Sequence, residues 1–75
     1  MNKNVFKAMR LYKGMSQKQF AELLDLSEAT VANIESGVRP ISDRTRARIA
    51  TNIDVGEDFS SFLLRFQEVN FTFPS

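Results

Sequence analysis

The feature that most narrows what this chain can fold into is the three-residue stretch Asp25-Leu26-Ser27, because helix signals stand on both sides of it. Upstream, Ser16 precedes Gln19 at the capping-box spacing, in which each side chain satisfies a backbone N–H at the other position. Phe20, Ala21 and Leu24 then form an apolar stripe. Downstream, Ser27 is a natural N-cap, Val31 and Ile34 face inward, and Gly37 supplies the left-handed residue on which helices commonly close. The spacing predicts a second helix over Gln17 to Leu24 and a third over Glu28 to Ser36, joined by a three-residue turn.

The flanks extend the pattern. Asn4 to Tyr12 places Phe6, Met9 and Arg10 on one side of a first helix that stops near Gly14. Arg39-Pro40-Ile41 interrupts, since proline lacks a donor and pushes its predecessor out of helical geometry, so residues 37–41 read as a loop. Ser42 caps a fourth helix with apolar positions Ala47, Ile49, Ala50 and Ile53, leaving Arg44, Arg46 and Arg48 on its remaining surface. Asp54-Val55-Gly56 is a second short turn, and Glu57 and Asp58 mark the start of a fifth helix. Its apolar positions are Phe59, Phe62, Leu63 and Phe66, and it fades by Asn70. The expectation is one all-α domain over residues 1–70, with a tail at 71–75.

Composition then removes most chemistry. The 75 residues include no Cys, His or Trp, which excludes thiol chemistry, cysteine or histidine metal sites and any histidine general base. Carboxylate catalysis needs two acids across a cleft, which a chain this small can hardly build. No catalytic residue, metal ligand or cofactor is implied, and the chain reads as a binding protein. No apolar run approaches the roughly 18 residues of a membrane span, so a soluble cytoplasmic protein is expected. The formal net charge of +1 hides an asymmetry. Residues 1–48 hold nine Lys or Arg against five Asp or Glu, a surplus of +4, while the remainder sets Arg65 against four acids, or −3. One end is suited to a polyanion and the other to something else.

Two short helices on a three-residue turn describe the helix-turn-helix, whose second helix enters the DNA major groove. The residues add specificity. Met9-Arg10, Gly14-Met15-Ser16-Gln17, Phe20-Ala21, Leu26-Ser27, Thr30-Val31, Ile34-Glu35-Ser36-Gly37, Arg39-Pro40, Ile49-Ala50 and Val55 together resemble the lambda-type repressor and Cro (XRE) family of phage and bacterial regulators. The resemblance covers about residues 5–64 and implies a compact five-helix lambda-repressor-like domain with helices two and three as the DNA-binding unit. It puts a phosphate at Ser16 and Gln17, base reading on Glu28, Ala29, Ala32 and Asn33, and a phosphate or thymine methyl at Thr30. Asn pairs with adenine, Glu accepts from cytosine and Ala meets a thymine methyl. Arg39, Arg44, Arg46 and Arg48 fall in a region that lies along the backbone in relatives, with Arg39, Arg44 and Arg46 as the phosphate contacts, and Arg10 and Glu35 fall where relatives pair them across helices one and three.

What the resemblance implies is a transcriptional regulator, a repressor of phage or mobile-element type, acting as a homodimer on an operator in a bacterial cell or phage-infected host. Three departures matter. Asp25 and Asp54 stand where the family usually has left-handed Gly. Residues 19–38 contain four acids and no Lys or Arg, which keeps open a rival reading: a protein-interaction module of the same fold, an antirepressor, antitoxin or inhibitor with a protein partner. Five of the seven Phe residues lie beyond residue 58, so a homodimer through helix five and the tail is expected, centred on Phe62, Phe66, Phe71 and Phe73.

Overall fold

Local capping sets where four of the helices begin. In the computed structural model, which describes residues 1–54 and 56–72 with side chains through Val69, the chain forms five α-helices. They are α1 (Lys3–Tyr12), α2 (Gln17–Leu24), α3 (Glu28–Ser36), α4 (Asp43–Asn52) and α5 (Glu57–Thr72). Asn2, Ser16, Ser27 and Ser42 each accept a hydrogen bond from the backbone N–H three residues on, at 2.9 to 3.2 Å. The Asn2 cap starts α1 one residue earlier than the apolar spacing suggested. At α2 the box is reciprocal, Gln19 Oε1 accepting from the Ser16 N–H at 2.9 Å. Glu57 and Asp58 occupy the first turn of α5, where the helix dipole favours them. The last helix runs to Thr72, past the point where its period fades.

The ends are settled by left-handed residues. Gly14 (φ 68) lets the Met15 N–H reach back to Arg10 O, and Gly37 (φ 84) does the same for Val38 and Asn33. Between α2 and α3, Asp25 (φ 57, ψ 45) takes the position glycine usually fills, and Leu26 N–H bonds to Ala21 O at 2.8 Å. Asp54 behaves otherwise. The expectation of a left-handed residue there is corrected: α4 closes on Ile53 in extended geometry, and Asp25 is the one non-glycine residue with positive φ among those described.

The core joins all five helices: Phe6, Ala8 and Met9 from α1, Phe20, Ala21 and Leu24 from α2, Val31 and Ile34 from α3, then Ile49, Ile53 and Phe59. Phe6 and Phe20 meet edge to face with centroids 5.1 Å apart. The assignment of Ala47 and Ala50 to the buried side of α4 is wrong, for both are exposed. The buried line runs Thr45, Ile49, Ile53 at intervals of four, and Ala47 and Ala50 fall off it. Thr45 tolerates burial because its hydroxyl accepts from Ser42 Oγ at 3.0 Å. On the far side Tyr12 docks α5, its ring 5.3 Å from both Phe59 and Phe62. Phe62 and Leu63 are neighbours on α5. Both are half-buried against the core.

Candidate nucleic-acid interface

With Val31 and Ile34 buried, the period of α3 turns Glu28, Ala29 and Asn33 outward to solvent and leaves Ala32 half-buried beside them. This stripe carries a carboxylate, two methyls and an amide, the donors, acceptors and apolar contacts that major-groove base edges present. No residue from 19 to 38 is cationic, so the stripe attracts phosphate only through its surroundings. Thr30 is half-buried, its hydroxyl 2.8 Å from Ser27 Oγ at the N-cap.

What aims α3 is a polar knot beneath it. Arg10 Nε donates to Glu35 Oε2 at 2.6 Å and Arg10 Nη2 to Glu35 Oε1 at 3.0 Å, a bidentate pair whose side chains are 12% and 6% exposed. Arg10 Nη1 donates further to Met15 O at 3.0 Å, and Gln17 Nε2 donates to Glu35 Oε1 at 3.3 Å. One guanidinium thus ties α1, the turn before α2 and α3 together, and the first residue of α2 joins them. The Met15 and Gln17 contacts are additions to what the sequence suggested. Gln17 was read as a phosphate ligand, yet one of its two amide N–H groups is engaged inside the protein.

The N-terminus of α2 offers an anion fewer groups than the motif suggests. The capping box occupies the Ser16 and Gln19 N–H groups, leaving those of Gln17 and Lys18 without intrahelical acceptors. Beyond α3, Arg39 and Arg44 are exposed. Arg46 lies 3.6 Å from exposed Asp43, a pair of little energetic weight. Arg48, which was assigned to open surface, is turned back to the helix-turn-helix, 3.4 Å from Asp25. Of the four residues expected at a dimer contact, Phe62 and Phe66 are half-buried and stacked on each other at 6.1 Å. The Phe71 side chain and Phe73 lie outside the described residues. Among the described residues no helix is long and apolar enough to cross a membrane.

A family model described as Helix-turn-helix matches residues 6–59, from the first buried Phe of α1 into the first turn of α5. No curated protein and no solved structure matches the chain. The family match takes in both helices of the motif and the Arg10–Glu35 knot that orients them, and it spans well over half the sequence. The chain therefore belongs to the helix-turn-helix family of lambda-repressor and Cro (XRE) type, a family of DNA-binding regulators.

Proposed function

We propose that the protein is a sequence-specific transcriptional repressor of phage or mobile-element type, binding a two-part operator as a homodimer and repressing by occlusion. The observation that carries this reading is the uncovered stripe of Glu28, Ala29 and Asn33, with Ala32 at its edge, on a helix whose orientation is pinned from below by Arg10 and Glu35. In this reading those four side chains meet base edges, while Ser16, Gln17, Thr30, Arg39, Arg44 and Arg46 hold phosphates. Selection of bound duplexes from a random pool tests it. A motif of two half-sites about one helical turn apart is expected, and Asn33→Ala is expected to relax one base pair per half-site at about 1 to 3 kcal/mol. A pool that yields no motif overturns the proposal.

The acidity of α3 favours one rival, a protein-interaction module of the same fold whose partner meets Glu28 and its neighbours. Weak, steeply salt-dependent binding to arbitrary duplex DNA belongs to the repressor reading, and its absence belongs to the rival.

A further inference from the structure

Most polar side chains around the base-facing stripe of α3 are already engaged within the protein. Gln17 Nε2 donates to Glu35 Oε1 at 3.3 Å, and Gln19 Oε1 accepts from the Ser16 N–H at 2.9 Å. The Ser27 and Thr30 hydroxyls lie 2.8 Å apart at the cap, and Ser36 Oγ donates to Asn33 O at 3.1 Å. Two polar groups remain on the stripe. The Glu28 carboxylate and the Asn33 amide are both exposed and, among the described residues, neither side chain is in an ion pair or a hydrogen bond.

The stripe also lacks the usual readers of guanine. Arg and Lys meet its O6 and N7 acceptors, and residues 19–38 contain neither. The two guanidinium groups that reach the motif from other helices are held by carboxylates, Arg10 by Glu35 and Arg48 by Asp25. Arg39 stands three residues past the far end of α3, a helix about 13 Å long, while Glu28 opens it. The charge on Glu28 makes the exclusion active. A carboxylate only accepts, so it is repelled by the bare oxygen and nitrogen acceptors of guanine and gains from an amine N–H. Stabilising the helix dipole alone would be served by an acid on any face of the first turn.

We propose that α3 reads the exocyclic amino groups of its operator, adenine N6 through Asn33 and cytosine N4 through Glu28, so that a methyl group on either amine excludes the protein. The inference rests on the DNA-binding reading above and names the chemistry of its target. In a paired base one amine hydrogen bonds to the opposite strand and the other points into the major groove. A methyl group on that nitrogen takes the groove position if pairing is kept. It then replaces the one hydrogen that the Asn33 carbonyl or the Glu28 carboxylate would accept. A methyl group on cytosine C5 leaves the N4–H in place.

The test is the affinity of the full chain for the duplex it selects from a random pool, prepared unmodified and with N6-methyladenine, N4-methylcytosine or 5-methylcytosine at the selected positions. Each N-methyl base is expected to lower affinity about 5- to 150-fold, the loss of one base contact, and 5-methylcytosine to leave it nearly unchanged. Asn33→Ala is expected to lose the response to N6-methyladenine and keep that to N4-methylcytosine, and Glu28→Ala the reverse. A merely structural role for either residue would not produce that crossing. Glu28→Gln is expected to move the cytosine preference to adenine, whose N6 and N7 a glutamine amide meets together. A selected motif that lacks an essential adenine or an essential cytosine, or indifference of the parent chain to either methylated amine, overturns the proposal while leaving the operator reading intact. A pool that yields no motif overturns both.

Discussion

Arg10 and Glu35 are the pair of side chains on which the presentation of α3 depends, and their burial makes the dependence measurable. Removing one partner leaves a charge 12% or 6% exposed without its counter-ion, and Arg10→Ala also frees Met15 O. Each single change is expected to cost about 3 to 5 kcal/mol, a large part of the stability of a domain this small. Arg10→Met combined with Glu35→Leu should cost less than either alone, because neither charge is then stranded. Urea unfolding of the two single variants and the double variant measures the coupling, and additive losses would show the pair to be independent. The same double variant is expected to fold yet bind DNA more weakly, since the polar tie between α1 and α3 is then lost and core packing alone sets the angle of α3. Asp25 gives a prediction of opposite sign. A left-handed conformation strains any side chain, and the ion pair to Arg48 is half in solvent and worth little. Asp25→Gly is expected to raise unfolding free energy by up to about 1 kcal/mol, measured the same way; a loss of stability would show that Arg48 matters more than the strain.

At the level of the element, α3 is held by its caps as well as by its packing. It buries Val31 and Ile34 over nine residues, and the rest of its length relies on local bonds. Its first turn, which carries Glu28 and Ala29, is closed by Ser27 Oγ accepting from Thr30 N–H at 3.1 Å. Ser27→Ala is expected to cost about 1 kcal/mol and to raise amide exchange in residues 28–30 above that of the α2 start. If the stripe on α3 reads bases, the same change lowers operator affinity with no contact to DNA removed. Unaltered exchange there would mean that packing of α3 on α2 is enough to hold the turn.

For the whole molecule, the two ends differ in composition. Arg39, Arg44 and Arg46 stand in the loop after α3 and at the start of α4, while α5 carries acids in its first turn and apolar side chains beyond. Tyr12 covers the inner side of Phe59 and Phe62, but Leu64 is 69% exposed and Val69 55%. Burying such surface in a second copy is worth about 25 cal/mol per Å², against the entropy of association. A two-fold contact on α5 would set two recognition helices on one face of a duplex. Sedimentation equilibrium at micromolar concentration is expected to show a dimer that Phe66→Ser dissociates. Since Phe66 also packs on the core, Leu64→Ser is the cleaner probe: a weaker dimer with unchanged unfolding. A parent chain that stays monomeric defeats the idea.

The bounds of α2 and α3 were legible in the sequence because the bonds that set them are local. Ser16 with Gln19, Ser27 with Thr30, and Gly37 with the carbonyls before it all act within one turn. Asn2 carries the same kind of signal for α1, one that apolar spacing does not contain. The placing of Arg10 opposite Glu35 was also readable, though only through likeness to a family pattern. Tertiary structure alone decided which face of α4 is buried, because a threonine with a satisfied hydroxyl can point inward while two alanines point out. It alone decided that Gln17 turns to Glu35, that Arg48 turns to Asp25 and that Lys3 lies over Gly37. Each of these pairs joins residues far apart in the chain, and their meeting is set by how helices dock, a property that no single segment contains.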